Sequence, residues 1–145
     1  MNQNIVQLIP QGLYKPAVRH DNIIYTSGMT PRKNGELFYS GKIEASKPIE
    51  VYKDAVCLAS KNALLSAQYC LKENEKISLI LQMTIYLCAK EDFTQHSKIS
   101  DYASNFLLEK LGLDSVGSRA AVGVSSLPSN APVEVKLVVV VSRCK

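Results

Sequence analysis

The chain has little of the chemistry that builds metal and disulfide sites. It contains no tryptophan, four cysteines and two histidines among its 145 residues. The cysteines are spaced 13, 18 and 56 positions apart, which matches neither a paired zinc-ligand motif nor a redox pair. His20 and His96 lie far apart in the sequence. We therefore expect no metal site, and free thiols of the kind that cytoplasmic proteins keep reduced.

Long apolar runs and concentrated charge are also missing. No stretch of about 20 apolar residues and no signal-peptide pattern occurs, so we expect a soluble, cytoplasmic protein without a membrane partner. The net charge is +4, but the seventeen lysines and arginines are dispersed, and Arg32 and Lys33 are the only adjacent pair. Nucleic-acid binding requires positive charge concentrated on one face, so a nucleic-acid partner is not expected.

The composition and patterning predict one α+β domain spanning residues 1–145. The chain is 46% hydrophobic and 21% charged, which is ordinary globular usage. Periodicity and turn residues predict the following elements in order: strands 5–8, 17–19 and 23–27, an exposed loop 31–35, helix 49–71, strand 77–89, helix 92–111 ending at Gly112, and two closing strands.

Two helices returning to one sheet would cover one of its faces, giving a helical layer on a largely antiparallel or mixed sheet. The other face also needs cover, because residues 138–141 are all valine and so are apolar on both sides of the pleat. Both helices are already used, so association of subunits is the simplest way to bury the second face.

The closing strands each carry an isolated charge, Arg119 and Glu134. Charged groups in apolar surroundings are costly unless they are paired or used. A structural alternative is that Glu134 and Lys136 face water while Arg119 marks a strand edge. If Ser125 paired with Val133, Arg119 would lie about five residues, or ~16 Å, from Glu134 along the strands. That separation favours a site formed between chains over a shortening bulge.

Several motifs in the chain resemble those of the RidA/YjgF family, small trimeric proteins that hydrolyse reactive enamines and imines. They are Arg-Ala-Ala-Val-Gly-Val at 119–124, Leu-Pro at 127–128, Pro-Val-Glu-Val at 132–135, Gly-Leu-Tyr at 12–14 and Ser-Gly at 27–28. Their order and spacing also fit, and the similarity extends over nearly the whole chain.

The resemblance implies a trimer built like chorismate mutase, with three sheets closing a barrel and active sites in the clefts between subunits. It implies hydrolytic deamination of 2-imino or 2-enamino acids to 2-oxo acids and ammonia, without a cofactor, on a small-molecule carboxylate substrate. The implied catalytic residues are Glu134, which activates the water, and Tyr14, which closes the pocket. The implied substrate-binding residues are Arg119, which holds the carboxylate, with Ser27, Gly28 and Asp101.

Each assignment has a structural alternative. Arg119 could form a salt bridge to Glu134 or Asp101, Tyr14 could pack beside Pro16, and Gly28 could serve an ordinary turn. Two positions depart from the family pattern. Ala121 stands where many relatives have cysteine, which excludes a thiol nucleophile there. Asp101 is the nearest match to a family asparagine, with Ile99 as the alternative if the helix start is shifted, and the Asp101 carboxylate would repel an acidic substrate.

Three other functions were weighed against this one. A non-catalytic trimer that binds a small carboxylate would use the same cleft. Endoribonuclease activity lacks support, because the sequence offers no histidine pair for acid–base catalysis and no basic stripe. A reaction like that of chorismate mutase needs several converging cations, and the chain has few.

Overall fold

Five strands form one mixed sheet, and two helices lie along one of its faces. The computed structural model describes residues 9–145, so the predicted strand 5–8 lies outside the described residues. The elements are β1 (Ala17–His20), β2 (Ile23–Thr26), β3 (Arg32–Lys33), β4 (Glu36–Leu37), a 3₁₀ turn (Ile49–Tyr52), α1 (Lys53–Gln68), β5 (Glu75–Cys88), α2 (His96–Leu111), β6 (Val116–Val124) and β7 (Val133–Arg143).

The long strand β5 lies near the centre of the sheet, whose order is β1-β2-β7-β5-β6. Strand β7 pairs antiparallel with β5 on one side, and β6 pairs parallel with it on the other. Parallel neighbours require a crossover connection, and α2 supplies it between β5 and β6. The five-stranded sheet is therefore antiparallel except for this one pair.

The core lies between the helices and one face of the sheet. In β7 the side chains of Val133, Val135 and Leu137 are fully buried, while the alternating Glu134 and Lys136 point to the other face. Helix α1 contributes mainly small buried side chains, which let it lie close to the strands: Ala55, Ala59, Ala63 and Ala67. The predicted α+β architecture with two helices on one face is confirmed.

The other face of the sheet carries apolar side chains that the single chain leaves uncovered. Val18 pairs with Tyr25, and Tyr25 pairs with Val138, so these three residues form a row across the sheet. Val18 is 53% exposed and Tyr25 is 49% exposed. We refer to the row Val18, Tyr25 and Val138 as the open-face row.

The predicted pairing of the two closing strands is wrong. Strands β1 and β2 form an antiparallel hairpin, but β6 and β7 do not pair, because β5 lies between them. Arg119 is in register with Met83 of β5 and Glu134 with Tyr86. The register of Ser125 with Val133 therefore does not exist, since the crossover through α2 places β6 at the outer edge.

The strands differ from the sequence prediction by one or two residues at their ends, and the loop and both helices differ more. The loop 31–35 belongs to a tight hairpin, β3–β4, whose turn residues Asn34 and Gly35 both have positive φ angles, the combination that a two-residue turn of this kind needs. Helix α1 is preceded by the 3₁₀ turn and ends at Gln68. Helix α2 begins at His96 because the preceding residues turn first, with the Phe93 N–H donating to the Lys90 carbonyl.

None of the helices within residues 9–145 combines the length and apolar character needed to cross a membrane.

Candidate active site

A cavity of about 240 Å³ lies beside the end of β2. Its walls come from the segment before β1, the loop from Gly28 to Arg32, the turn of the β3–β4 hairpin, and the turn at Pro128 and Ser129. Asn62 of α1 and Glu134 of β7 also line it. The residues that form it are far apart in sequence, and the sheet brings them together.

Glu134 is the only acidic residue that lines this cavity within the described part of the chain. Met29 and Val135 exchange backbone hydrogen bonds of 2.8 Å, which holds Gly28 directly against Glu134. Burial raises the pKa of the Glu134 carboxyl above its usual value, and among residues 9–145 no cation or hydrogen-bond donor counteracts this effect. The cavity thus contains a carboxyl group whose proton affinity is increased.

Tyr14 and Gly28 line the cavity, and Ser27, which precedes Gly28, does not. The Tyr14 hydroxyl accepts a 3.3 Å hydrogen bond from the Gln11 N–H, and the side chain is 49% exposed. The Ser27 hydroxyl donates to the Lys15 carbonyl at 2.6 Å, and its N–H donates to the Pro16 carbonyl at 2.8 Å. Ser27 therefore fastens the segment that carries Tyr14 to the end of β2.

Arg119 lies outside the cavity, against α2. One of its terminal nitrogens, Nη1, donates to Asp101 Oδ1 at 2.8 Å and to the Ser104 hydroxyl at 2.9 Å. The other, Nη2, donates to the carbonyl oxygen and the hydroxyl of Ser97 at 3.1 and 2.9 Å. The guanidinium is thus engaged by acceptors of its own chain.

Arg119 and Glu134 lie on opposite faces of the sheet. Arg119 is in register with Met83, which is buried beneath the helices, whereas Glu134 points away from the buried Val133 and Val135. Within one chain the two charges cannot flank one small molecule. The sequence-predicted residues therefore divide into two groups, Glu134, Tyr14 and Gly28 at the cavity and Arg119 with Asp101 at the helix.

The family-like motifs described above include residues of both groups. Comparison with known proteins supports the same family. Residues 5–141 match the model of the family described as Endoribonuclease L-PSP. The chain belongs to this family, which is the RidA/YjgF family. A RutC family protein from Aquifex aeolicus is 33% identical over 114 residues, covering 74% of this chain and 82% of that protein.

Two crystal structures of this fold resemble the chain over most of their length. The protein Atu1372 of Agrobacterium tumefaciens, described as of unknown function, is 26% identical with a TM-score of 0.83, covering 92% of this chain and 86% of that one. A putative endoribonuclease from Shewanella oneidensis is 28% identical with a TM-score of 0.82, covering 92% and 88%.

Two cavity residues of this RidA/YjgF family member were missed by the sequence analysis. Arg32 donates from Nη1 to the Gly35 carbonyl at 3.0 Å and from Nη2 to the Ser129 hydroxyl at 2.9 Å. Asn62, only 5% exposed, donates through Nδ2 to the carbonyls of Thr30 and Arg32 at 3.0 and 2.8 Å. The sequence could have indicated Asn62, because this polar amide lies among the small residues on the buried side of α1. Arg32 lies in a polar turn segment, which gives no such signal.

Within residues 9–145, no group of three or more histidine, cysteine, aspartate or glutamate side chains is arranged to hold a metal ion. All four cysteines are free. The polar side chains that line the cavity are one carboxyl, one phenol, one guanidinium, two aliphatic hydroxyls and three amides.

Proposed function

We propose that this chain hydrolyses reactive 2-imino and 2-enamino acids to 2-oxo acids and ammonia in the Glu134 cavity. The observation that carries the proposal is the Glu134 carboxyl, whose pKa is raised by burial beside a space of about 240 Å³. A general acid–base group works best when its pKa lies near the operating pH, and desolvation moves a carboxyl in that direction.

Glu134 manages the protons in this reaction. The carboxylate removes a proton from water as the oxygen adds to the carbon of the protonated C=N bond, which forms a carbinolamine. The carboxyl then donates this proton to the nitrogen, the C–N bond breaks to release ammonia, and the carboxylate takes the hydroxyl proton of the carbinolamine, which leaves the 2-oxo acid. An enamine enters the same path after protonation of its β-carbon. Acid–base assistance of this kind contributes about 10²–10⁴-fold in rate.

Tyr14 and Gly28 support that chemistry. The phenol of Tyr14 can donate or accept a hydrogen bond and so orients the water or the substrate. Gly28 leaves space for the Glu134 carboxylate, because a Cβ there would lie 2.5 Å from Glu134 Oε2. The imine carbon is already electrophilic, so the reaction requires no metal or cofactor. A cytoplasmic location, expected from the four free thiols, is part of the same proposal.

A homotrimer belongs to this proposal as well. The open-face row exposes apolar surface that a single chain leaves in water, and the family resemblance supplies a closed barrel of three sheets as the cover. In this assembly the substrate cavities would lie beside the subunit boundaries.

Arg119 and Asp101 have a structural role in this proposal. The two residues tie the edge strand β6 to α2, and for Arg119 to hold a substrate carboxylate, Asp101 and Ser104 would have to release it. This is the structural alternative that the sequence left open, and Asp101 here binds Arg119 in place of substrate.

The family description names endoribonuclease activity, but the two histidines do not support it. His20 lies on β1 at one edge of the sheet, and His96 lies against Gly123 of β6 at the opposite edge. Four strand spacings separate the two edges, or ~19 Å. A histidine pair acting on one phosphodiester is thus not available within the chain.

The proposal is tested with an imine generated in situ by an amino-acid oxidase, with 2-oxo acid release as the readout. We expect wild type to accelerate release, Glu134→Gln to lose at least ~10²-fold of that acceleration, and the matched exposed control Glu109→Gln to behave as wild type. Equal release with wild type, Glu134→Gln and no protein would contradict it. Binding of the 2-oxo acid without acceleration would favour the non-catalytic carboxylate-binding alternative.

A further inference from the structure

We propose that Oδ1 of Asn62 accepts a hydrogen bond from the reacting nitrogen of the molecule that binds in the Glu134 cavity. The inference rests on the proposed function and adds to it a residue of α1 that lies outside the family-like motifs. It also gives the cavity a preference, for a ligand with an N–H group over one with a carbonyl oxygen at the same position.

The hydrogen bonds of Asn62 fix the orientation of its amide. Thr30 and Arg32 each offer this side chain a backbone carbonyl oxygen, at 3.0 and 2.8 Å. A carbonyl oxygen can only accept, so the amide atom that faces both of them must be the nitrogen, and its two hydrogens are thereby used. The amide oxygen Oδ1 therefore points away from these two carbonyls.

Oδ1 of Asn62 is an acceptor without a donor. Among residues 9–145 no N–H or O–H group donates to it. In the same residues, the fully buried polar atoms that lack a partner on side chains that are not exposed are Arg32 Nε and Ser100 Oγ. Oδ1 is not one of these, so it keeps open surface, and the cavity is the space that the otherwise buried Asn62 lines. A nearly buried acceptor is costly to leave unpaired, so a donor on a ligand would stabilise it.

Asn62 and Glu134 reach the cavity from the two faces of the sheet. Strand β1 does not extend along residues 28–30, so this segment forms the edge of the sheet beside β7. Glu134 packs against Gly28, and Asn62 donates to the Thr30 carbonyl. Two residues of chain span at most ~7 Å, and a cavity of about 240 Å³ is smaller than the ~300–1,000 Å³ typical for drug-sized ligands. One small molecule can therefore contact both side chains.

An acceptor at this place suits the nitrogen of the proposed reaction. The imine or enamine, the carbinolamine and the departing ammonia all carry N–H groups, whereas the carbonyl oxygen of the 2-oxo acid carries none. A carbonyl oxygen facing Oδ1 would bring two acceptors together, which disfavours the product. When the nitrogen gains a proton, its hydrogen bond becomes charge-assisted and stronger. Asn62 thus favours the reacting species over the product.

The test compares binding of two unreactive ligands, 2-aminobutyrate and 2-oxobutyrate, by titration calorimetry. At the second carbon they carry an ammonium with three N–H donors or a carbonyl oxygen with none. We expect wild type to prefer the amine, and Asn62→Ala to reduce that preference roughly tenfold to a hundredfold. The ratio of the two affinities is the readout, because a loosened cavity would weaken both ligands alike.

Two further variants separate recognition from loss of structure. Asn62→Asp keeps an oxygen in place of Oδ1 and loses the nitrogen, so it should retain the preference for the amine even where stability falls. Ser66→Ala removes a buried hydrogen bond of the same helix, the 2.9 Å bond from the Ser66 hydroxyl to the Asn62 carbonyl. Ser66 does not line the cavity, so this variant should keep the wild-type ratio.

An unchanged ratio in Asn62→Ala would overturn the inference, as would an equal fall of the ratio in Ser66→Ala. If Asn62→Ala does not fold, the ratio in Asn62→Asp decides, and a loss of the preference there overturns the inference. A wild type that binds 2-oxobutyrate at least as tightly as the amine, or that binds neither, does so too. The ligands do not react, so the result is independent of imine hydrolysis. A preference that depends on Asn62 in a protein without hydrolytic activity would refute the proposed reaction and leave Asn62 as the residue that recognises the N–H donor.

Discussion

Gly28 and Glu134 occupy adjoining space, and a side chain on the first would collide with the second. A Cβ built on Gly28 would lie 2.5 Å from Glu134 Oε2 and 2.9 Å from its Cγ. The glycine is needed here for space and not for an unusual backbone angle, since its φ is not positive. The glycine of the Ser-Gly motif therefore leaves the space that the Glu134 carboxyl group occupies.

Replacing Gly28 with alanine should cost activity more than stability. The colliding atoms belong to a flexible side chain, so the carboxylate can swing away at a cost of about 1 kcal/mol in unfolding free energy, while imine hydrolysis should fall at least ~10-fold. The measurement pairs urea denaturation with oxo-acid release. In a Glu134→Ala background the collision is gone, so Gly28→Ala should then cost no stability; an undiminished cost there would refute the clash.

The Arg19–Glu75 pair should make stability depend on pH in the acid range. Arg19 donates to both carboxylate oxygens, at 2.6 and 2.9 Å, and with the Lys72 N–H lowers the pKa of Glu75 to about 2. A carboxyl whose folded pKa is lowered stabilises the fold above its ordinary pKa of 4.5, and that contribution is lost as the pH falls toward 2.

Glu75→Gln should therefore remove part of the slope of unfolding free energy between about pH 2 and 4.5. Urea denaturation across that range measures the slope. The exposed Glu73→Gln serves as a matched control from the same turn and should keep the wild-type slope. Identical slopes in wild type and Glu75→Gln would count against the pair.

The Arg119–Asp101 pair should contribute only modestly to stability. The Asp101 side chain is 60% exposed, and exposed ion pairs contribute about 0.2–1 kcal/mol. A double-mutant cycle with Arg119→Ala and Asp101→Ala should give a coupling energy in that range. Removing Asp101 should leave carboxylate binding unchanged. A gain in 2-oxobutyrate affinity on Asp101→Ala would instead show that Asp101 blocks a substrate-binding arginine.

A charge on the open-face row should break the proposed trimer. Tyr25 lies between Val18 and Val138 in that row, so Tyr25→Asp would bury an unpaired carboxylate in the interface. Light scattering after size exclusion should give a trimer for wild type and monomers for Tyr25→Asp. Val51→Asp, an equally exposed apolar residue before α1, should remain trimeric. A wild-type monomer would refute the assembly.

The sequence predicted the elements of the fold better than their neighbours in the sheet. Periodicity located both helices and the long strand β5, because burial on one face leaves a regular pattern. It misplaced β6, since adjacency of strands depends on how a crossover such as α2 packs, which no local pattern records. The start of α2 was also set too early, because residues 90–93 form a turn that buries Phe93 in the core before the helix begins.

The sequence likewise indicated some residues of the cavity and not others. The family motifs pointed to Glu134, Tyr14 and Gly28, and the structure places these three around one cavity. The resemblance also pointed to Arg119, whose guanidinium donates to Asp101, Ser104 and Ser97 of α2 and lies outside the cavity. Arg32 could not be found from sequence, because an arginine in a polar hairpin acquires significance only once the turn at Ser129 packs against it.

The pH dependence of imine hydrolysis tests the central claim most directly, because it measures the Glu134 proton in action. The claim predicts that catalysed 2-oxo acid release by wild type, corrected for the rate without protein, rises through an ionisation above the usual glutamate pKa of 4.5, since burial raises the pKa of Glu134. It also predicts that this rise is absent in Glu134→Gln. The same pH profile in both proteins would contradict the claim.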